Sequence, residues 1–183
     1  MKLHPLALSF AAAGIALTAA PQSAPRKAVI PPPVSAAEDR THPRMPAFTR
    51  QTLDGKPFDS AAQQSGRPLL IVYWAAWCGP CQKESPLLRE LKSAYGDRLL
   101  MVGVAAGEGE ELDEVKFAAK KWQLNYPVIY DQDESLKLMF NVQMIPQLIL
   151  IGADQRLVVR TLDLRVLEQE LDLLLPPVLI EPT

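Results

Sequence analysis

Two cysteines separated by two residues constrain this chain more than any other feature. Cys78 and Cys81 are the only cysteines in the 183-residue sequence, and Gly79-Pro80 lies between them. A continuous apolar run, residues 68–74, precedes the motif, and a helical pattern, residues 82–95, follows it. A cysteine pair at this spacing, between a strand and a helix, is a signature of thiol redox chemistry. We therefore ask whether the rest of the chain builds the fold that such a pair needs.

Composition and charge limit the partners of the chain. The formal net charge is −2, and 48% apolar and 22% charged residues are normal for a globular protein. The sequence has no long run of lysine and arginine, so nothing in it indicates a nucleic acid or an anionic membrane surface as a partner. Two cysteines are also too few for a disulfide-rich scaffold.

The N-terminus has the pattern of an export segment. Lys2 supplies a positive charge, residues 6–17 are mostly apolar, and small residues follow at 18–20. This order predicts that residues 1–24 are a secretory signal peptide or an uncleaved N-terminal membrane anchor. Alanine outnumbers leucine there, which favours cleavage. In both cases we expect a periplasmic or other extracytoplasmic protein, secreted or anchored to the inner membrane, where disulfides persist.

Proline content separates a linker from the domain. Seven prolines lie within residues 21–46, a density that disfavours helices and sheets and favours extended backbone. We expect a Pro-rich linker at residues 25–45, one domain at residues 46–177 and a short tail at residues 178–183.

Hydrophobic periodicity predicts alternating strands and helices in this domain. Apolar runs predict strands at residues 69–73, 99–104, 127–130, 147–151 and 157–161. Apolar positions at helical spacing predict helices at residues 84–95, 111–122, 135–140 and 165–175. The turn dipeptide Asp54-Gly55 predicts a short hairpin, and residues 63–67 are expected to form a loop. The order of these elements predicts an α/β sheet with helices on both faces.

The position of the cysteines suggests a role for each. A thiolate at a helix N-terminus is stabilised by unpaired backbone N–H groups and by the helix dipole. Cys78 lies just before the helix, so we expect it to be the more exposed thiol and the nucleophile. Cys81, one turn later, is the candidate resolving thiol, which would release the partner from a mixed disulfide. Pro80 falls in the first turn, where its missing N–H costs little.

Two structural alternatives account poorly for the pair. A zinc site needs two more ligands, and the only histidines, His4 and His42, lie in the N-terminal extension. We therefore expect no metal. A purely structural disulfide across two residues would close a very small loop and constrain little of the unfolded chain.

These residues together resemble the thioredoxin superfamily. The motif from Trp77 to Cys81 follows an apolar strand as it does in that family, and Pro86 resembles the proline that kinks the family's first long helix. Ile145-Pro146, ahead of a strand, resembles the family's cis-proline beside the active site. The resemblance implies a thioredoxin-like α/β fold, with a central mixed β-sheet flanked by helices on both faces.

The resemblance is greater to the exported TlpA/ResA/DsbE-like branch. It covers roughly residues 45–175 and rests on the export segment and on residues 54–58, 66–68 and 73–77. It implies an N-terminal β-hairpin and an inserted α/β segment between Glu111 and Tyr130. It also implies that a client contacts a surface formed by Trp77, Gly79, Pro80, Ile145 and Pro146, with the Ile145 backbone pairing with an extended client segment.

One departure from the family pattern points to a further residue. Cytosolic thioredoxins carry a buried Asp six residues before the first cysteine, where this chain has Val72. Glu84, three residues past Cys81, matches an acidic residue of the ResA-like proteins. If it is partly buried, it would serve as the catalytic proton shuttle for Cys81. A solvated surface glutamate is the alternative.

We therefore expect an exported protein-disulfide reductase that uses no cofactor. The resemblance implies a membrane electron donor for re-reduction and disulfide-containing clients. Apocytochrome c and proteins of copper-site maturation are two client classes, between which the residues do not choose. A disulfide-forming oxidase and a non-catalytic binding module are the alternatives. An oxidase of this kind usually carries a helical insertion and a His-containing dipeptide, and this chain has neither. A binding module needs neither cysteine, whereas this chain has both.

Overall fold

Strands and helices follow one another through residues 42–176, the part of the chain that the computed structural model describes. The strands are β1 (Thr49–Gln51), β2 (Pro57–Asp59), β3 (Leu69–Trp74), β4 (Leu100–Ala106), β5 (Val128–Asp131), β6 (Gln147–Ile151) and β7 (Leu157–Thr161). The helices are α1 (Ser60–Gln64), α2 (Gly79–Tyr95), α3 (Leu112–Lys121), α4 (Ser135–Met139) and α5 (Leu164–Leu174). The signal or anchor segment at 1–24, most of the linker and the tail lie outside the described residues.

A mixed five-stranded sheet has the apolar run before the cysteines at its centre. The strand order is β5-β4-β3-β6-β7. β3 pairs in parallel with β4 and antiparallel with β6, β4 pairs in parallel with β5, and β6 pairs antiparallel with β7. Every residue of β3 is buried, so both faces of the sheet are covered at its centre. This is the mixed, helix-flanked sheet that the sequence predicts.

The segment before β3 contacts both edge strands of this sheet. β1 and β2 form an antiparallel hairpin, and directly after β1 Thr52 bridges to Ile129 of β5. At the other edge, Arg44 bridges to Arg156, and the Leu157 N–H donates to the Pro43 carbonyl at 3.0 Å. The backbone contacts of the domain therefore begin inside the segment that the sequence assigns to the linker.

One local feature differs from the sequence-based expectations and one agrees with them. α1 includes the first two residues of the segment expected to be a loop, because Asp59 accepts hydrogen bonds from the N–H groups of Ala61 and Ala62 at 3.0 and 2.9 Å and so caps a short helix. α2 begins at Gly79, as expected from a helix that starts directly after Cys78. It continues through Pro86 to Tyr95 and places the second cysteine within its first turn.

Candidate active site

Cys78 and Cys81 are joined by a disulfide bond at the N-terminus of α2, with an S–S distance of 2.00 Å. Cys78 is the N-cap residue, and its Sγ accepts a hydrogen bond from the Cys81 N–H at 3.2 Å. The Cys78 carbonyl accepts from the Gln82 N–H at 3.1 Å. The Cys78 sulfur therefore lies at the positive end of the helix, an arrangement that favours a thiolate there in the reduced protein.

The expectation that Cys78 is the more exposed thiol is wrong for this oxidised state. Both cysteines are 4% exposed. The Cys78 side chain is turned inward because it is bonded to Cys81 and accepts the Cys81 N–H. The assignment of Cys78 as nucleophile and Cys81 as resolving thiol must therefore rest on position in the helix, since Cys78 caps α2 and Cys81 lies inside it.

The residues around the motif form an exposed rim beside the disulfide. Trp77 is 62% exposed, and its indole N–H donates to the Glu108 carbonyl at 3.4 Å. Gly79 and Pro80 occupy the first turn of α2 and are exposed. A Cβ built on Gly79 meets no atom within 4 Å, so the space above the first turn is open to another molecule.

The Ile145-Pro146 peptide bond is cis, as the resemblance implies. Ile145 is half-buried, and it lies ahead of β6, whose pairing with β3 begins at Gln147 opposite Tyr73. The Ile145 backbone therefore lies outside the hydrogen-bonded ladder between β3 and β6. Pro146 and Cys81 line the same small cavity, which brings the two predicted parts of the site together.

Glu84 lies one turn beyond Cys81 on the same side of α2 and is half-buried. Its Oε2 is buried and has no hydrogen-bond partner among the described residues. Burial raises the pKa of the Glu84 carboxyl above its ordinary value, and the charge of Asp163 raises this pKa further. The surface-glutamate alternative is therefore a poor description of Glu84.

The cavity beside Cys81 is small and mainly apolar. Its volume is about 10 Å³, and Val72 and Trp74 of β3 form part of its wall. Val72 places a hydrocarbon where a cytosolic thioredoxin has a carboxyl. A proton leaving Cys81 therefore has no acceptor on β3 at this position. Glu84 follows Cys81 by three residues on α2 but is not among the residues that line this cavity.

Sequence reasoning missed Glu110, which holds the segment directly before Cys78. Its Oε1 accepts hydrogen bonds from the N–H groups of Ala76 and Trp77, the second at 3.1 Å. Glu110 is 6% exposed, its Oε2 has no partner among the described residues, and burial raises the pKa of its carboxyl. In the sequence Glu110 is one of several neighbouring acidic residues. Its partners lie more than thirty positions away, so nothing in the local pattern distinguishes it.

The site supports electron exchange between thiols and disulfides. It has a disulfide at a helix N-terminus, open space above the first helical turn, the half-buried carboxyl of Glu84 on the same helix, and the buried carboxyl of Glu110 bonded to the segment before Cys78. Within residues 42–176, no three His, Cys, Asp or Glu side chains lie close enough together to hold a metal ion. No helix in the same range is long and apolar enough to cross a membrane.

Known proteins match the chain across most of the domain. The Redoxin family model matches residues 40–170. Thioredoxin-like protein YneN of Bacillus subtilis is 30% identical over 132 residues, which is 70% of this chain and 76% of that protein. Thiol-disulfide oxidoreductase ResA of Bacillus cereus is 27% identical over 124 residues, which is 68% of this chain and 70% of that protein.

Solved structures match the fold as well. A secreted Mycobacterium tuberculosis disulfide oxidoreductase, described as homologous to E. coli DsbE, gives a TM-score of 0.61 at 26% identity, over 69% of this chain and 96% of that one. A thiol:disulfide interchange protein of the thioredoxin family from Chlorobium tepidum TLS gives 0.64 at 26% identity, over 73% and 96%. The chain belongs to the redoxin family and is a thiol–disulfide oxidoreductase with a thioredoxin-like fold.

Proposed function

We propose that this protein acts outside the cytoplasm as a reductase of disulfides in client proteins. The observation that carries the proposal is the Cys78–Cys81 pair at the N-terminus of α2, with only Gly79-Pro80 between the two cysteines. The thiolate-stabilising position suits Cys78 as the attacking group. The dipeptide lacks the histidine that exported oxidases of this fold carry.

The reaction begins from the reduced dithiol. The Cys78 thiolate attacks one sulfur of the client disulfide, and the other client sulfur leaves as a thiolate that takes a proton from solvent. Cys81 then loses its proton and attacks the Cys78 sulfur of the mixed disulfide. The second client thiolate leaves, and the Cys78–Cys81 bond forms. Two electrons pass from the dithiol to the client, and the protein reaches the oxidised state described above.

Glu84 is our proposed proton acceptor for Cys81. It follows Cys81 by one helical turn, its Oε2 has no partner among the residues described, and burial raises the pKa of its carboxyl above the ordinary value, which makes it a better proton acceptor. Trp77, Gly79, Pro80, Ile145 and Pro146 are the proposed client-binding surface. The exposed indole and the open first turn support this assignment.

The setting of the reaction rests on the sequence and on the relatives. Residues 1–24 carry the export pattern, and a similar solved structure is described as a secreted protein. We propose a membrane electron donor for re-reduction, and apocytochrome c during cytochrome c maturation as one client.

Two measurements test the direction of electron flow and the client. A reduction potential near that of thioredoxin, about −270 mV, is expected for a reductase, and one near about −120 mV would instead identify an oxidase. In cells, Cys81→Ser should accumulate mixed disulfides through Cys78, which identify the client, and Cys78→Ser should accumulate none. Full exchange activity in Cys78→Ser would show that the assigned nucleophile is wrong.

A further inference from the structure

A groove runs beside the disulfide along α3. Its volume is about 530 Å³, within the range of small-ligand and side-chain binding sites. We call it the α3 groove, and its walls include Trp77, Glu110, Asp113, Glu114, Phe117 and Lys121. Neither cysteine lines the groove, but Trp77 directly precedes Cys78 and Gln82 directly follows Cys81, so the groove borders the redox motif.

Two aromatic side chains give the α3 groove an apolar lining. Trp77 is 62% exposed and Phe117 is 66% exposed. Large aromatic side chains are rarely left this exposed in pairs without a partner, and their faces attract cations as well as apolar groups. The Lys121 ammonium lies 5.9 Å from the centre of the Phe117 ring, which shows that this ring is accessible to a cation.

The polar groups of the α3 groove are mainly carboxylates. The groove is lined by one lysine, Lys121, and by three carboxyl groups, those of Glu110, Asp113 and Glu114, so it carries an excess of negative charge. The ion pair that Asp113 forms with Lys116 is long, at 3.7 Å, and solvent-exposed, so it neutralises little of this charge. Glu114 uses Oε2 to accept the Glu111 N–H at 3.0 Å.

Glu110 supplies an independent indication of a missing counter-charge. It is a wall residue of the groove and is 6% exposed. Its Oε1 has two N–H partners, whereas its Oε2 is enclosed and has none among the described residues. A buried carboxylate without a partner is costly in a folded protein, and a cation bound in the groove would stabilise its charge through space and not by a hydrogen bond to Oε2.

We propose that the α3 groove selects clients that carry a lysine or arginine beside an apolar residue, close in sequence to the attacked cysteine. The apolar residue and the stem of the basic side chain would pack on Trp77 and Phe117. The cationic head would lie among Asp113, Glu114 and Glu110. This inference rests on the proposed function, because it assigns the groove to the client and not to another partner.

Binding is tested separately from chemistry. The oxidised full-length protein is titrated with two peptides that carry Ser in place of Cys and differ only in Lys-Leu or Glu-Leu beside that serine. The Lys peptide should bind at least about fivefold more tightly, as two solvent-exposed ion pairs with Asp113 and Glu114 allow. Equal dissociation constants would overturn the inference, whether or not the protein reduces disulfides.

Turnover gives the second readout. The reduced protein is mixed with the matching peptides in disulfide form, and the rate constants are compared. The Lys peptide should react about tenfold faster at about 0.01 M salt, and the ratio should approach one at about 1 M salt, where the screening length is about 3 Å. Failure to reduce either peptide would count against the proposed function and leave the binding result as the test of the groove.

A matched pair of variants locates the selectivity. The double variant Asp113→Asn with Glu114→Gln should lower the ratio of the Lys-peptide rate constant to the Glu-peptide rate constant at least about threefold, because two groove carboxylates lose their charge. The Gln side chain still offers an acceptor to the Glu111 N–H, so the start of α3 is kept. Glu90→Gln with Glu168→Gln removes the same charge from exposed positions on α2 and α5 and should leave the ratio unchanged. If both double variants change the ratio equally, only net charge matters and the groove assignment is wrong.

Discussion

Replacing Glu110 tests how the segment before Cys78 is held. Glu110→Ala removes two hydrogen bonds to a carboxylate, from the N–H groups of Ala76 and Trp77. Bonds of this kind contribute about 1.5–3 kcal/mol each. Ala76 is half-buried and Trp77 is exposed, so water replaces part of both bonds and the lower figure applies. The combined loss is then about 3 kcal/mol.

Removing the buried charge offsets part of this loss. Burial raises the pKa of the Glu110 carboxyl, which shows that the two bonds do not fully compensate its lost hydration. With roughly 1 kcal/mol recovered, Glu110→Ala should unfold about 2 kcal/mol more easily, or roughly 8 °C lower for a domain of this size. Glu110→Gln keeps one acceptor oxygen and has no charge to bury, so its stability at pH 7 should lie within about 1 kcal/mol of that of the wild type.

The pH dependence gives the sharper result. The pKa of Glu110 is higher in the folded than in the unfolded protein, so its contribution to stability is greatest below the ordinary carboxyl pKa of 4.5 and is lost as pH rises through the folded value. Relative to Glu110→Gln, the wild type should therefore lose stability as pH rises from the ordinary carboxyl pKa of 4.5 through the raised folded-state pKa. Glu84 has a raised pKa too, so Glu110→Gln should in turn lose stability with rising pH relative to the variant that also carries Glu84→Gln.

Urea unfolding of the oxidised protein, followed by tryptophan fluorescence at several pH values, measures both quantities. Parallel curves for the wild type and Glu110→Gln would show that Glu110 is not a buried, titrating carboxyl. Equal stability of the Ala and Gln variants would show that the two N–H bonds contribute nothing.

Three further substitutions have defined outcomes. Asp163→Asn should lower the pKa of Glu84, because a like charge is removed. The pH–rate profile of thiol–disulfide exchange should therefore move to lower pH when Asp163→Asn is made in the wild type. The same substitution made in the Glu84→Gln variant should leave the profile in place. Gly79→Ala should stabilise the protein by about 0.4–1 kcal/mol in urea unfolding, because a Cβ there meets no atom within 4 Å; a lower midpoint would contradict this geometry. Phe140→Ala should cost about 3–5 kcal/mol, because the ring is fully buried and packs edge-on against Phe48 at 5.5 Å. The exposed Phe117→Ala is its control and should change stability by less than about 0.5 kcal/mol.

The sequence predicts the sheet and the redox pair because their signals are local. The apolar run before the cysteines is long enough to identify a strand buried on both faces, and β3 is such a strand. Gly79-Pro80 and the apolar spacing that follows identify a helix starting at the cysteines. The cis bond at Pro146 followed from family resemblance and is present.

Features that depend on the packed tertiary structure were not predictable. A position just before the helix does not determine the exposure of Cys78, and both cysteines are 4% exposed. The role of Glu110 depends on backbone N–H groups more than thirty residues earlier in the chain. Periodicity locates a buried helix face but not how deeply each side chain is buried. In α5, Leu167 and Leu171 are fully buried, whereas Leu174, which continues their helical spacing, is 39% exposed.

The contacts made before β3 bear on how the protein avoids self-association. An open sheet offers unpaired N–H and C=O groups along each outer strand, and these are templates for aggregation. Here one stretch of chain, residues 43–53, reaches both outer strands: Pro43 meets the start of β7, and the Leu53 N–H donates to Val128 of β5 at 2.7 Å. A variant that begins at residue 54 would lack these contacts. The residues ahead of β3 thus occupy part of both outer edges, at Leu157 of β7 and at Val128 and Ile129 of β5, and leave fewer backbone groups there for pairing with a second chain.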